Sequence, residues 1–218
     1  MTSPAPGSGT SRPGARAAPA VVDGLRASLD AYLDLLEKWN RVYNLTALRT
    51  RADMETLHVQ DALSVLPWLP SAPGVRVLDV GSGPGVPGIP LALARPDADF
   101  VLLDANSKKT AFLAQAVIEL GLRNVRVETA RIEDFHPAQP FDVVIARAFS
   151  DLRTLALAAK PVLARNARIL AMKGGVPHDE IAALPPGVRV VDTPALDVPG
   201  LGARRHLVIL AREQEMSA

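Results

Sequence analysis

The chain has 218 residues with a formal net charge of +1, and nearly half of these residues are hydrophobic. This balance is typical of a globular protein with one well-buried core, and it excludes the global basic field that governs non-specific nucleic-acid binding. The absence of cysteine excludes a disulfide framework, a thiolate metal site and a cysteine nucleophile, and it fits a reducing, cytoplasmic setting.

The first 72 residues predict a tail followed by a helical cap. Residues 1–20 consist mainly of Pro, Gly, Ser and Ala without an apolar signal-peptide run, and we interpret them as a disordered tail. Apolar residues recur every three or four positions from Val21 to Tyr43 and from Ala52 to Leu66, which predicts two amphipathic helices, the second ended by Pro67. Residues 21–72 form this predicted cap. Nowhere in the sequence do apolar residues reach the run of roughly 18 that a membrane span needs.

Residues 73–218 alternate short apolar runs with helical segments. The runs predict strands buried on both faces, at 75–80, 99–104, 124–129, 141–146 and 167–172, with later strands near 187–193 and 205–211. Helices are predicted between them, at 88–95, 107–121 and 151–164. This alternation predicts an α/β fold built on a doubly wound, mostly parallel seven-stranded sheet with right-handed crossovers.

The stretch DVGSGPGVPGIPL, at residues 79–91, joins the first strand to the following helix. Its amides and the helix N-terminus would form a polar cradle, and glycine lets a ligand approach the backbone. One register matches the dinucleotide pattern GxGxxG, and another matches the DxGxGxG loop of S-adenosylmethionine enzymes, with Gly81, Gly83 and Gly85 as its glycines. A plain strand-to-helix turn is the alternative to ligand binding.

Two features favour the S-adenosylmethionine register. Asp79 ends the first strand, where its carboxylate could hold the cationic amino group of a methionine moiety directly or through water. Pro84 and Pro87 remove amides that a pyrophosphate would use. Asp104, which ends the second strand, could accept hydrogen bonds from both ribose hydroxyls, but either cofactor carries that ribose.

Eight segments resemble the bacterial glucose-inhibited division protein B family. They are KWNRVYNLTA at 38–47, HVQDAL at 58–63, DVGSGPGVPGIPLA at 79–92, LLDANSKKTAFL at 102–113, RIEDF at 131–135, ARAF at 146–149, AMKG at 171–174 and RRHLVIL at 204–210. This family methylates N7 of a guanine in 16S ribosomal RNA. The resemblance therefore implies a class I, Rossmann-like methyltransferase core, S-adenosylmethionine as cofactor, and 16S RNA or the small ribosomal subunit as partner, with the protein as a monomer in the cytoplasm.

The resemblance also implies roles for individual residues. Gly81 and Val86 would line the donor site, and Arg147 would lie at the boundary between donor and guanine. The remaining donor-site residues would lie along the ribose and adenine: Asp104, Ala105, Asn106, Ile132 and Glu133.

Methylation of guanine N7 requires positioning but no general base, because N7 carries a lone pair and no proton. We therefore expect no catalytic dyad. Arg147 and Lys173, at the ends of the fourth and fifth strands, are the candidates to bind guanine O6. The alternatives are that Arg147 pairs with a carboxylate and that Lys173 is a solvated strand end.

Three further features suggest more limited roles. His58 and Asp61 share a helical face but lack the further ligands of a metal site, so we interpret His58 as a surface or interdomain residue that could contact RNA. Asn44 either caps the second helix or fixes the preceding turn. A basic group could meet RNA phosphates, although a solvated helix face is the default: Lys108, Lys109, Arg123, Arg126 and Arg131.

Several positions depart from the family pattern. Ala105 and Ala146 stand where serine is common, and Leu57 stands where a basic residue often precedes the histidine. Residues 164–167, ARNA, replace a Pro-Gly-Gly turn, and we expect Asn166 to adopt a left-handed turn there. The runner-up functions are a nicotinamide-dependent oxidoreductase and a nucleotide-sensing or RNA-binding module without turnover.

Overall fold

The computed structural model describes residues 23–213. The tail predicted for residues 1–20 therefore lies outside the described part of the chain. The helices are α1 (Asp23–Tyr43), α2 (Arg51–Met54), α3 (Asp61–Leu63), α4 (Gly88–Ala94), α5 (Ser107–Glu119), α6 (Leu152–Ala159) and α7 (His178–Ala182). Within the described range, no helix is both long and apolar enough to cross a bilayer.

The second predicted helix differs from the expectation in its hydrogen bonding and in its end. It begins at Arg51 with Thr50 as its N-cap, becomes π-helical over Glu55–Gln60, and returns to α-helix in α3. Pro67 does not end it, because α3 stops at Leu63 and Pro67 lies in a separate 3₁₀ turn, Leu66–Trp68. The π-helical segment spans only six residues, which is too short for its wider turn to show in the apolar spacing.

Within residues 23–213, seven strands form one sheet, in agreement with the sequence-based prediction. They are β1 (Arg76–Val80), β2 (Asp99–Asp104), β3 (Val125–Thr129), β4 (Phe141–Arg147), β5 (Leu163–Lys173), β6 (Val188–Asp192) and β7 (His206–Arg212). Their order is β3-β2-β1-β4-β5-β7-β6. The pairs from β3 to β5 are parallel, and β7 runs antiparallel to both β5 and β6.

The sheet separates two apolar clusters, which explains why its inner strands are largely hydrophobic. The edge strands β3 and β6 are mostly not buried, so the expectation of burial on both faces is wrong for these two. Val77 and Phe100 point to the face covered by α1, the second helix, α4 and α5, whereas Leu78 and Val101 point to the face covered by α6. The predicted cap is therefore part of the main core, since Leu36 of α1 is fully buried in the first cluster.

The fifth strand begins earlier than expected, and the left-handed turn predicted at Asn166 is wrong. Residues 164–167 lie within β5, and Asn44 and Ala148 are the non-glycine residues with positive φ in residues 23–213. Phe141 pairs with Leu163 but Val143 pairs with Arg168, so the extra residues form a bulge in β5. A bulge accommodates an insertion without a glycine turn.

Candidate functional site

The carboxyl ends of β1 and β2, with the loop after β3, surround a cleft of about 170 Å³. Five of the predicted donor-site residues line it: Gly81, Asp104, Ala105, Ile132 and Glu133. Phe149, which sequence reasoning missed, lies on the same wall. The cleft therefore occupies the edge where ligands bind in open α/β sheets.

The first two glycines of the loop leave free space. Gly81 has a φ of +72°, and no heavy atom lies within 4 Å of the position that its Cβ would take. The Gly81 amide donates to the Leu103 carbonyl at 2.8 Å, and the Gly83 amide donates to Asp104 Oδ2 at 2.9 Å. These contacts attach the loop to β2 and leave one side of Gly81 open to a ligand.

The later glycines are required by the protein's own packing. A Cβ on Gly85 would lie 2.5 Å from Ile89 Cδ1, and a Cβ on Gly88 would lie 2.2 Å from Leu102 Cδ2. Val86 is also buried in the first apolar cluster. The side chain of Val86 therefore packs in the core and does not line the cleft, and Gly85 makes room for Ile89.

Asp79 is a fully buried carboxylate at the base of the loop. Its Oδ2 accepts a hydrogen bond from the Gly88 amide at 3.0 Å, while Oδ1 has no hydrogen-bond partner among the described residues. Burial raises the pKa of Asp79 to about 7, although the Gly88 and Ser82 hydrogen bonds act in the opposite direction. A buried acceptor oxygen without a partner is costly, and a cationic ligand group would relieve that cost.

Asp104 lines the cleft, whereas Asn106, two residues further along the chain, does not. The Asp104 carboxylate accepts the Gly83 amide at Oδ2 and the Asn106 amide, 2.8 Å away, at Oδ1. Asn106 is the N-cap of α5, because its side chain accepts a hydrogen bond from the Lys108 amide at 3.0 Å. Its capping role was not predicted, and it fixes the direction in which the chain leaves the cleft.

Arg147 ends β4 and connects the core to the second helix. Its Nη1 donates to the Leu57 carbonyl and, at 3.1 Å, to Asp61 Oδ2, while its Nη2 lies 3.2 Å from His58 Nδ1. The predicted alternative of a carboxylate partner is thus confirmed. About a quarter of the side chain remains exposed, which leaves donors available to a ligand.

His58 is buried, so the expected surface position is wrong, and its ring lies between the second helix and Arg147 at the end of β4. Its side chain is 2% exposed, and its Nε2 lies 3.0 Å from Thr46 Oγ1. Burial, together with the Arg147 charge, lowers the pKa of His58 to about 4. The ring is therefore neutral at pH 7, and its burial leaves no surface with which to contact RNA.

Lys173 is paired. Its Nζ donates to both carboxylate oxygens of Glu180, at 3.1 and 2.8 Å, and Glu180 also accepts from the Leu152 amide at 2.8 Å. Glu180 belongs to the short helix α7, which the sequence did not predict. The alternative of a solvated strand end is thus wrong, the guanine-binding role of Lys173 stays a prediction, and this ion pair joins β5 to α6 and α7.

The predicted basic group does not come together. Lys108, Lys109 and Arg131 lie at the carboxyl edge of the sheet, whereas Arg123 and Arg126 line a separate polar cleft of about 570 Å³ near the amino edge. Lys109 Nζ also lies 3.7 Å from Asp104 Oδ2. These five residues are close in sequence but not in space, because β3 runs from the amino edge of the sheet to its carboxyl edge.

The family departures have different consequences. Ala146 is buried in the second apolar cluster, so a serine hydroxyl absent from this position removes no contact with the cleft. Ala105 lines the cleft, and a hydroxyl there would reach it. Asn44 adopts φ of 49°, which confirms the turn interpretation, and Thr50 performs the capping.

The arrangement suits a donor of the S-adenosylmethionine type. Asp79 offers an unpaired acceptor for an ammonium group, Gly81 gives open backbone, and Asp104 and Glu133 border a partly apolar cleft. Within residues 23–213 no three His, Asp or Glu side chains lie close enough to hold a metal ion.

Comparisons with known proteins agree with this geometry. The sequence model of the family described as GidB, rRNA small subunit methyltransferase G, matches residues 25–208. A ribosomal RNA small subunit methyltransferase G from Chromobacterium violaceum is 52% identical over 83% of this chain and 85% of its own length. The protein of the same name from Laribacter hongkongensis is 52% identical over 82% and 85% of the two chains.

A comparison with solved structures supports the α/β fold described above. The glycopeptide N-methyltransferase MtfA, in complex with S-adenosylmethionine, superposes with a TM-score of 0.61. The match covers 72% of this chain and 95% of that chain at 12% identity. This likeness shows a class I methyltransferase fold.

Proposed function

Because the chain belongs to the rRNA small subunit methyltransferase G family and is an S-adenosylmethionine-dependent methyltransferase of small-subunit ribosomal RNA, we propose that it methylates N7 of a guanine in 16S RNA. The observation that carries this proposal is the combination of an unpaired, buried Asp79 oxygen with a cleft at the carboxyl ends of β1 and β2. The partner is 16S RNA or the assembled small subunit. We also propose that the protein acts as a cytoplasmic monomer.

The donor side of the site is assigned to the loop and its neighbours. Bound S-adenosylmethionine supplies an electrophilic methyl group on a sulfonium centre. Asp79 binds the ammonium group, Asp104 accepts the ribose hydroxyls, and the backbone at Gly81 permits close approach. Ile132 and Glu133 line the cleft and would border the adenine, with Ala105 beside them. Asn106, the N-cap of α5, follows Ala105 but is not among the residues that line the cleft.

The acceptor side is assigned to Arg147. Its exposed N–H groups donate to guanine O6 and orient the base with N7 facing the donor. No residue needs to remove a proton, because N7 has none. Preorganisation of the base therefore supplies the rate enhancement.

Two assays test this function. Calorimetry should detect binding of S-adenosylmethionine and S-adenosylhomocysteine but no binding of NAD. A nicotinamide-dependent enzyme would instead bind NAD and not the methyl donor. Tritiated methyl transfer should label small subunits or naked 16S RNA, and mapping should place the label at guanine N7. Donor binding without transfer to either RNA would favour a sensing or binding module and would contradict the proposal.

A variant pair tests the acceptor side. Arg147→Ala should lower kcat/KM by about tenfold or more, because the loss of a charge-assisted hydrogen bond to guanine O6 costs about 1.5–3 kcal/mol. Arg126→Ala is the matched control, since Arg126 lies on β3 near the opposite edge. Normal methylation by the Arg147 variant would remove Arg147 from the site.

A further inference from the structure

Asp61 holds two arginines that come from distant parts of the chain. Its side chain is 2% exposed, with Oδ2 3.1 Å from Arg147 Nη1 and Oδ1 3.2 Å from Arg205 Nε. Each carboxylate oxygen thus fixes one guanidinium. Two positive charges share one buried negative charge, so this group of three side chains retains a net positive charge.

The register of the sheet places both arginines at its carboxyl edge. Arg147 pairs with Met172 across β4 and β5, and Lys173 pairs with His206 across β5 and β7. Arg205 immediately precedes His206, so it lies at the edge that also carries Arg147 and Lys173. Lys173 is neutralised by Glu180, whereas Arg147 and Arg205 are each about a quarter exposed.

The second helix supplies two hydrogen-bond acceptors to Arg147. The π-helical segment Glu55–Gln60 places the Leu57 carbonyl where it accepts from Arg147 Nη1. Neutral His58 accepts from Arg147 Nη2 at Nδ1, which leaves its Nε2–H to donate to Thr46 Oγ1. Segments of π-helix are frequent at functional sites because they redirect backbone groups in this way.

We propose that Arg205 is a second acceptor-binding residue and that Asp61 is the positioning residue that aims Arg147 and Arg205 at the target nucleotide. This proposal rests on the proposed function. The two guanidiniums would donate to acceptor oxygens of one guanosine, either on the base edge or on its phosphate. A purely structural connection between cap and core is the competing explanation.

The first test measures kinetics with small subunits. Arg205→Gln should raise KM for the subunit by about tenfold and leave the Kd for S-adenosylmethionine within about twofold of the unsubstituted protein, because Arg205 does not line the donor cleft. Arg189→Gln is the matched control, since Arg189 is exposed on β6 toward the amino edge. A KM for Arg205→Gln equal to that of the control would overturn the role of Arg205.

A conservative variant distinguishes the two oxygen sources. Arg205→Lys should restore most of the KM if the contact is to phosphate, because a point charge suffices there. It should restore little if Arg205 donates to guanine O6 in the plane of the base, because a lysine ammonium does not reproduce the planar geometry of the guanidinium. Both results support an acceptor contact, whereas wild-type KM for Arg205→Gln does not.

Asp61→Asn tests the positioning role. Loss of the shared charge should lower kcat by about tenfold per folded molecule while donor affinity stays unchanged. A lower melting temperature with unchanged kcat and KM would show that Asp61 is only structural and would overturn its positioning role. If the unsubstituted protein labels no ribosomal RNA, the proposed function itself fails, independently of these variants.

Discussion

Asp79 is the residue at which burial and binding are most closely linked. The sequence placed it at the end of β1, and the structure buries it completely with one oxygen unpaired. Burial raises its pKa, so the apo protein holds this group close to half-protonated near pH 7. A bound ammonium group would shift it to the ionised form.

We predict that affinity for S-adenosylmethionine falls as pH decreases from 7.5 to 6 (a window set by the pKa of about 7). Binding must remove the proton from Asp79, so the Kd should rise by up to about tenfold per pH unit below 7. Calorimetry in two buffers of different ionisation enthalpy should detect the released proton. Asp79→Asn should bind more weakly without this dependence, and an equal pH dependence in both proteins would contradict the prediction.

The same ionisation acts on stability with a definite sign. Because the folded pKa of Asp79 is raised above its unfolded value, its favourable contribution is fully present below about pH 4 and is lost as pH rises through about 7. Asp79→Asn removes this contribution to the pH dependence of the free energy of unfolding.

At the scale of elements, α1 is joined directly to the glycine loop. The Tyr32 hydroxyl donates to the Pro84 carbonyl at 2.8 Å, and Tyr32 is fully buried. The cap therefore supports the donor site as well as covering the sheet. Apolar spacing correctly placed Tyr32 on the buried face but gave no indication of this hydrogen bond.

Tyr32→Phe should reduce the free energy of unfolding by about 1 kcal/mol, because the buried Pro84 carbonyl loses its donor while the ring is kept. Donor affinity should also fall several-fold, since the loop loses a support. Denaturant unfolding and calorimetry measure the two effects. Tyr43→Phe is the control, because Tyr43 is 45% exposed and its hydroxyl has no hydrogen bond within residues 23–213; an equal loss in both variants would refute the prediction.

Most elements were predictable because their apolar periods are long and uniform. All seven strands agree within a few residues, apart from the earlier start of β5. The misses are the π-helical segment, the bulge at residues 164–167 and the short helix α7. The π-helical segment and α7 make tertiary contacts, Leu57 with Arg147 and Glu180 with Lys173, that leave no periodic signal in the sequence.

At the scale of the whole molecule, the basic residues are distributed over two edges of the sheet. Lys108 and Arg131 are exposed at the carboxyl edge, and neither side chain has an ion-pair partner in the described part of the chain. Arg123 and Arg126 are equally exposed near the amino edge. We therefore expect RNA that reaches the donor cleft to pass the first pair and not the second.

The double variant Lys108→Gln with Arg131→Gln should flatten the salt dependence of 16S RNA binding. Each phosphate contact that is lost lowers the slope of log Kd against log salt by about 0.7 on a single strand. Filter binding over a salt series measures this slope. The matched double variant Arg123→Gln with Arg126→Gln should leave the slope unchanged, and equal effects of the two would show that RNA covers both edges.

The sequence by itself determined the α/β class, the seven strands, the glycine loop and the family, because apolar period and short motifs are local properties of the chain. Only the tertiary structure decided which glycines face open space, that His58 is buried, and that Asp61 unites Arg147 with Arg205. The reason is physical: burial and pairing depend on residues that are far apart in sequence and meet only when the sheet forms.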